Sequence, residues 1–304
     1  LLAVLLLPLL LNNFFKNEKL TLYFIFQSLK RMGASFSTID YDTDMFPNIN
    51  QHLQLGAGGF GSVFADRTDS TKAYKLVFST TGCEKAKREA EIQNDAANSL
   101  NNILAQLPVP VHIPFIIGYN QRTIRFNSIE YNCIIGMERV PLFNQDINCA
   151  YQLGMEVQGE KEHPSDEGIK KYTELRDCRG IFITESNLLD LAAKYSFNVD
   201  DVAFSWGFAV CSLIFIAKND INDLEYILSA NVSLQIIDFG LSQELDIVDE
   251  ATIDLIWEHI DLDVVLPSPA NETIYPHFIR GMEAFKTTFP SYPVDYLIEK
   301  WNTK

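Results

Sequence analysis

The chain has 304 residues, with 24 basic against 40 acidic side chains and a formal net charge of −16. That charge excludes broad nucleic-acid binding, which needs a basic footprint, and a composition 47% hydrophobic and 21% charged excludes wholesale disorder. The length allows two ordinary domains or one bilobed unit.

Residues 1–50 read as an apolar leader and a polar connector. The start, "LLAVLLLPLLL", is too short to span a bilayer, which takes about 20 residues. It lacks the basic region and small-residue cleavage site of a signal peptide. With no initiating Met, the N-terminus would be truncated or misassigned. A second apolar run, "LTLYFIF", begins at Leu20, and Met32-Gly33 opens a chance-level match to the myristoylation pattern. Membrane attachment is not expected outside this leader. The connector is "STIDYDTDMFPNINQ", Ser37 to Gln51.

From residue 51 to 140 the pattern is that of a small β-rich lobe. Short β-type runs flank the glycine cluster "LGAGGFGSVF", and "KAYKLVF" follows, a hairpin and then a third strand. "GCEKAKREAEIQNDAANSL" has helical periodicity. "VHIPFIIGYN" and "IEYNCIIGMERV" read as a fourth and a fifth strand. From 141 to 304 the reading is a mostly helical lobe with a polar excursion near 151–180. Its "DVAFSWGFAVCSLIFIAKN", Asp201 to Asn219, has acidic residues at its start and Lys218 at its end, as suits a buried core helix. "EYIL" and "LQIID" are short strands, and the tail alternates helical runs with a Pro-rich link.

Five cysteines, Cys83, Cys133, Cys149, Cys178 and Cys211, are scattered without a C-x-x-C or paired His. They read as reduced, buried thiols, which points to a reducing compartment and a cytoplasmic protein.

Gly56, Gly58 and Gly61 form G-x-G-x-x-G, with Val63 two residues on. Flanked by β-type residues on both sides, the motif fits a hairpin folded over phosphates better than a strand-to-helix turn. A plain glycine turn would look the same. Lys75, on the next strand, can reach the α- and β-phosphates. Glu89 shares a helical face with Ile92 and Ala96, so it points inward and can hold Lys75, with Glu91 the second choice. Met137 would flank a base, to which the backbones of Glu138 and Val140 would offer hydrogen bonds. Further on, "DINDLEYIL" carries Asp220 and, five residues later, Glu225; thirteen more reach Asp238 of "DFG".

These parts, in this order, resemble the protein-kinase-like superfamily from about Leu53 to Glu244. The loop "DINDLEYIL" and the strand "IIDF" are closer to a fungal family of kinase-like proteins of unknown function, in which "NETIYP" at Asn271–Pro276 also has a loose counterpart. That family's loop also gives weight to Asn222 and Asp223. Asn219 before Asp220 is similar to aminoglycoside-type phosphotransferases. The resemblance implies an α+β, bilobed, protein-kinase-like fold with a five-stranded N-lobe and a mostly helical C-lobe. It implies ATP with Mg²⁺ or Mn²⁺ as ligands. Asp220 would position an acceptor hydroxyl, and Asp238 with Glu225 would hold the metal. The chain departs from protein kinases in having Glu225 for Asn, Lys218-Asn219 for His-Arg, and no A-P-E after Gly240. Two functions follow from this: an ATP-dependent phosphotransferase, or a pseudokinase-like scaffold that binds a protein partner without catalysis.

Overall fold

A computed structural model describes residues 38–41, 44–57, 59–126, 128–141, 151–153, 181–183, 185–222, 224–229, 231–263, 266–269 and 271–303. The apolar leader, Met32-Gly33, Gly58, Cys149, Cys178, Asp223 and most of the polar excursion lie outside these residues. The chain is α+β. In order, the strands are β1 (Asp40–Tyr41), β2 (Ile49–Ala57), β3 (Gly61–Asp66), β4 (Lys72–Phe78), β5 (Val111–His112), β6 (Ile116–Phe126), β7 (Ile129–Glu138), β8 (Tyr151–Leu153), β9 (Ile181–Ile183), β10 (Glu225–Leu228) and β11 (Leu234–Ile237). The helices are α1 (Cys83–Leu104), α2 (Glu185–Tyr195), α3 (Val199–Phe215), α4 (Glu250–Asp263), α5 (Tyr275–Thr288) and α6 (Val294–Asn302).

Two sheets form. One has six strands in the order β1-β6-β7-β4-β3-β2 and the other five, β5-β11-β10-β8-β9. Five of the six strands are the expected ones. The sixth, β1, comes from the connector and pairs parallel with β6 at Asp40↔Gly118. "VHIPFIIGYN" does not make one strand. Val111–His112 joins the second sheet and Ile116–Phe126 the first. Pro114 sits between them, lacking the N–H a continuous ladder would need. This one stretch therefore spans both sheets. Strands stand at the two ends of the excursion near 151–180: β8 and β9 pair in parallel, and β8 pairs antiparallel with β10.

Helix α1 lies on the first sheet. Ala86 and Ala90 are small enough to let it sit close to Val77, Cys133 and Ile135. Its later residues Leu100 and Leu104 join the large core around α3. Asn198 caps α3 by accepting the Asp200 N–H at 2.9 Å, a bond of about 1 kcal/mol. The helix is buried along nearly its whole length. Among the described residues no single helix is long and apolar enough to cross a membrane. Helices α3 and α5 cross at two glycines. A Cβ on Gly207 would fall on the Phe278 carbonyl and one on Gly281 on the Phe204 carbonyl, so only glycine permits this approach.

The cysteine reading is corrected here. Cys83, at the start of α1, and Cys133, on β7, are joined in a disulfide. The helix start and the strand bring together two residues 50 apart in sequence, a contact that spacing alone does not announce. Among the described residues only Cys211 is a free, buried thiol. The cysteine-based argument for a reducing compartment goes with that correction.

Candidate functional site

A cavity opens between the two sheets. Its roof is the turn from β2 to β3, one wall is β4 and the end of β7, and the floor is β10 and β11. The roof is built from glycines with unlike roles. Gly61 pairs with Val77 across the ladder, and a Cβ there would collide with the Leu76 carbonyl. Gly56 and Gly59 line the cavity, and a Cβ on either would meet nothing within 4 Å. Bare backbone there leaves space that a ligand can fill.

At the polar end, Lys75 reaches from β4 toward α1. Its Nζ donates to Glu89 Oε1 at 2.5 Å and to Asp238 Oδ1 at 3.1 Å. Lys75 is 8% exposed and Glu89 6%, so both charges have left bulk water. Burial works against the Lys75 cation, but Glu89 and Asp238 outweigh it and hold the ammonium above its ordinary value. Burial, together with the negative Asp238 nearby, pushes Glu89 upward despite Lys75. One cation thus faces two carboxylates. Helix periodicity explains the choice of Glu89: it shares the inward face with Ala86, Ala90 and Gln93. Glu91 instead points outward and accepts from Tyr41 Oη at 3.0 Å.

Asp238 follows β11 in the left-handed region, φ 61°, at a cost of order 1 kcal/mol for a non-glycine. The bend ends the strand and accompanies the turn of the carboxylate toward Lys75. Glu225 opens β10 directly opposite Ile237. It lines the same cavity, as do Ile227 two residues on and Ile237 across the ladder, the alternation a pleated strand dictates.

Val63, Met137, Glu138 and Val140 also line the cavity. Its middle is an apolar slot. At the linker, the Glu138 N–H already donates to the Phe115 carbonyl at 3.0 Å and the Arg139 N–H to Thr71 at 2.7 Å. Among the described residues the Val140 amide has no hydrogen-bond partner, so it is the linker donor open to a ligand. The Glu138 side chain is a strut: it accepts from the Phe115 N–H at 2.9 Å and meets His112 Nε2 at 2.7 Å. Burial would raise this carboxyl, but those two bonds bring it below its usual range.

Asp220 is 4% exposed and is not among the residues that line this cavity. Its Oδ1 accepts the Gln243 N–H at 3.0 Å, its carbonyl accepts from Ser242 Oγ at 2.7 Å, and its N–H donates to Gln243 O at 2.9 Å. Asp220 clasps the segment after Gly240. Leu55, Phe60, Ala73, Arg139, Ile227 and Ile237 line the cavity without having been singled out from the sequence. Strand alternation offered a signal for Leu55 and Ala73; nothing local marked Phe60 or Arg139.

Among the described residues no three His, Cys, Asp or Glu side chains cluster to hold a metal on their own. A divalent cation here would take Asp238 and Glu225 plus oxygens of a ligand and water, which suits Mg²⁺. The sequence matches no family model, and it matches no curated protein.

Proposed function

We propose that this protein binds ATP with Mg²⁺ or Mn²⁺ in the cavity between its sheets, on a bilobed kinase-like fold with the glycine turn and Lys75 in the smaller lobe. The observation that carries this reading is the ion cluster. A buried lysine held at 2.5 Å by Glu89 and at 3.1 Å by Asp238 ends a cavity whose glycine roof leaves room for a ligand. Lys75 would take the inner phosphate oxygens, and Glu89 keeps it aimed. The Val140 amide would meet the base, whose faces pack on Val63 and Met137. Asp238 and Glu225 would hold the cation, which when bound neutralises charge on the phosphate oxygens.

Whether a phosphoryl group is then transferred turns on Asp220. As an active phosphotransferase the protein would need that carboxylate beside the acceptor hydroxyl. The buried Asp220, engaged by the Gln243 N–H, favours the second reading, a nucleotide-binding pseudokinase-like scaffold with a protein partner.

Thermal stability with ATP alone, with ATP and Mg²⁺, and with ATP and Mn²⁺ tests this. Ligand at 100 times its Kd should add about 2.7 kcal/mol, and Asp238→Ala should abolish the metal-dependent part. No shift with either metal overturns nucleotide binding. ATP turnover lost in Asp220→Asn would favour the enzyme over the scaffold.

A further inference from the structure

Gly56 is tied to β3 opposite Val63 and accepts at its carbonyl from Gln54 Nε2 at 3.3 Å. Gly59, past the ladder, has open space where a Cβ would be, and glycine has little preference for one backbone state. A closed turn therefore needs a clamp from outside. Phe60 supplies the handle. Its carbonyl accepts from the Phe78 N–H at 3.0 Å and from Thr81 Oγ1 at 3.3 Å. Its ring lies beside Gly240: a Cβ on that glycine would stand 3.5 Å from Phe60 Cδ2, 3.4 Å from Glu89 Oε2 and 3.3 Å from Asp238 Oδ1. The ring is thus a cover next to the ion cluster. The ammonium of Lys85, in the first turn of α1, stands 3.9 Å from the ring centroid. Among the described residues no carboxylate is paired with Lys85 in a salt bridge; its charge also acts on Glu89 from farther away, and the aromatic face is the contact it makes.

We propose that Lys85 is a positioning residue for the ligand of this cavity, acting through Phe60: its ammonium holds the ring down and keeps the glycine turn closed over bound phosphates. The proposal rests on the nucleotide reading above. A ligand leaves when the turn lifts, and lifting breaks the cation–π contact. Lys85 therefore sets how long the ligand stays, not how fast it arrives.

Stopped-flow binding of a fluorescent ATP analogue to the full chain tests this. Lys85→Met should raise the dissociation rate about twofold to fivefold, the worth of a cation–π contact at an exposed or partly exposed site, with the association rate unchanged. Lys85→Arg should restore the wild-type rate. Phe60→Leu should match Lys85→Met, and the double variant should be no faster than either single one. A wild-type dissociation rate in Lys85→Met, or additive effects in the double variant, overturns the clamp. Hydrogen exchange of the Ala57–Gly61 amides reads the clamp without ligand: Lys85→Met should speed it by a similar factor, and unchanged exchange overturns the proposal. If the wild-type protein binds no analogue, the nucleotide reading fails while exchange still judges the clamp.

Discussion

Replacing Glu89 by Ala removes the nearer of the two anions facing a largely buried lysine. Lys75 and Glu89 side chains are 10% and 7% exposed, whereas Asp238 is 30% exposed. The remaining 3.1 Å contact is therefore the weaker, more solvated one. Breaking a buried pair by deleting one partner costs about 3–5 kcal/mol. The surviving Asp238 puts this case at the lower end, about 3 kcal/mol, or a Tm lower by roughly 6–12 °C for a chain of this size. Lys75→Met should cost about as much, because it leaves Glu89 beside Asp238 with no cation. The double variant Lys75→Met/Glu89→Leu removes both buried charges and should fall within about 1 kcal/mol of wild type. On the lysine side the pairing is present below the unfolded value of 10.5 and is lost as pH rises through the higher folded one; on the carboxylate side it is lost as pH falls through the raised Glu89 value, so all variants are unfolded in urea at one pH between the two. A cost under about 1 kcal/mol for Glu89→Ala, or a double variant as damaged as the sum of the singles, would refute a desolvated, coupled pair.

Two more expectations follow from the same geometry. Gly56→Ala should leave unfolding within about 1 kcal/mol of wild type, since a Cβ there meets nothing within 4 Å, and, as Gly56 lines the cavity, should weaken ligand binding; Gly61→Ala, driven against the Leu76 carbonyl, should cost about 1–3 kcal/mol in the same urea experiment. Asp66 is raised by burial but held lower overall by the Tyr74 hydroxyl and the Thr68 and Asp69 amides, so its contribution is present above the unfolded value of 3.8 and is lost as pH falls through the folded one. Asp66→Asn should be less stable at pH 7 and show a shallower loss below pH 4 in acid titrations followed by circular dichroism.

Much of the β-rich part was legible because its signals are local. The β-type run "KAYKLVF" places Lys75 on a strand, and the face that Glu89 shares with Ile92 and Ala96 turns it inward, consistent with Lys75 meeting Glu89 rather than Glu91. Less local features were hidden. The division of residues 111–126 between two sheets depends on which ladder each half finds, not on its own composition. The Cys83–Cys133 bridge and the Gly207–Gly281 crossing are meetings of elements distant in the chain. Neither residue type announces its partner, since a cysteine in an apolar run reads as a buried thiol and a helical glycine as a small defect. Phe60 and Lys85 belong to the same class: a loop aromatic and a helix lysine each have a bland explanation until the turn folds over the helix.

Asp220 shows where motif spacing stops being geometry. Glu225 opens a strand paired in register with β11, so the ladder itself aims it into the cavity, and Asp238 follows the partner strand at a bend, φ 61°, that accompanies the turn of its carboxylate toward Lys75. Asp220 lies in the loop before β10, two residues after Lys218 at φ 54°, where no repeat governs side-chain direction. Its carboxylate turns to the amide of Gln243, and the isolated bridge Asn219↔Glu244 seals the two segments together. A carboxylate 4% exposed that accepts the Gln243 N–H helps to fix the chain after Gly240, which follows Asp238. That task needs neither an acceptor nor turnover, so the proposed scaffold reading asks nothing further of this carboxylate.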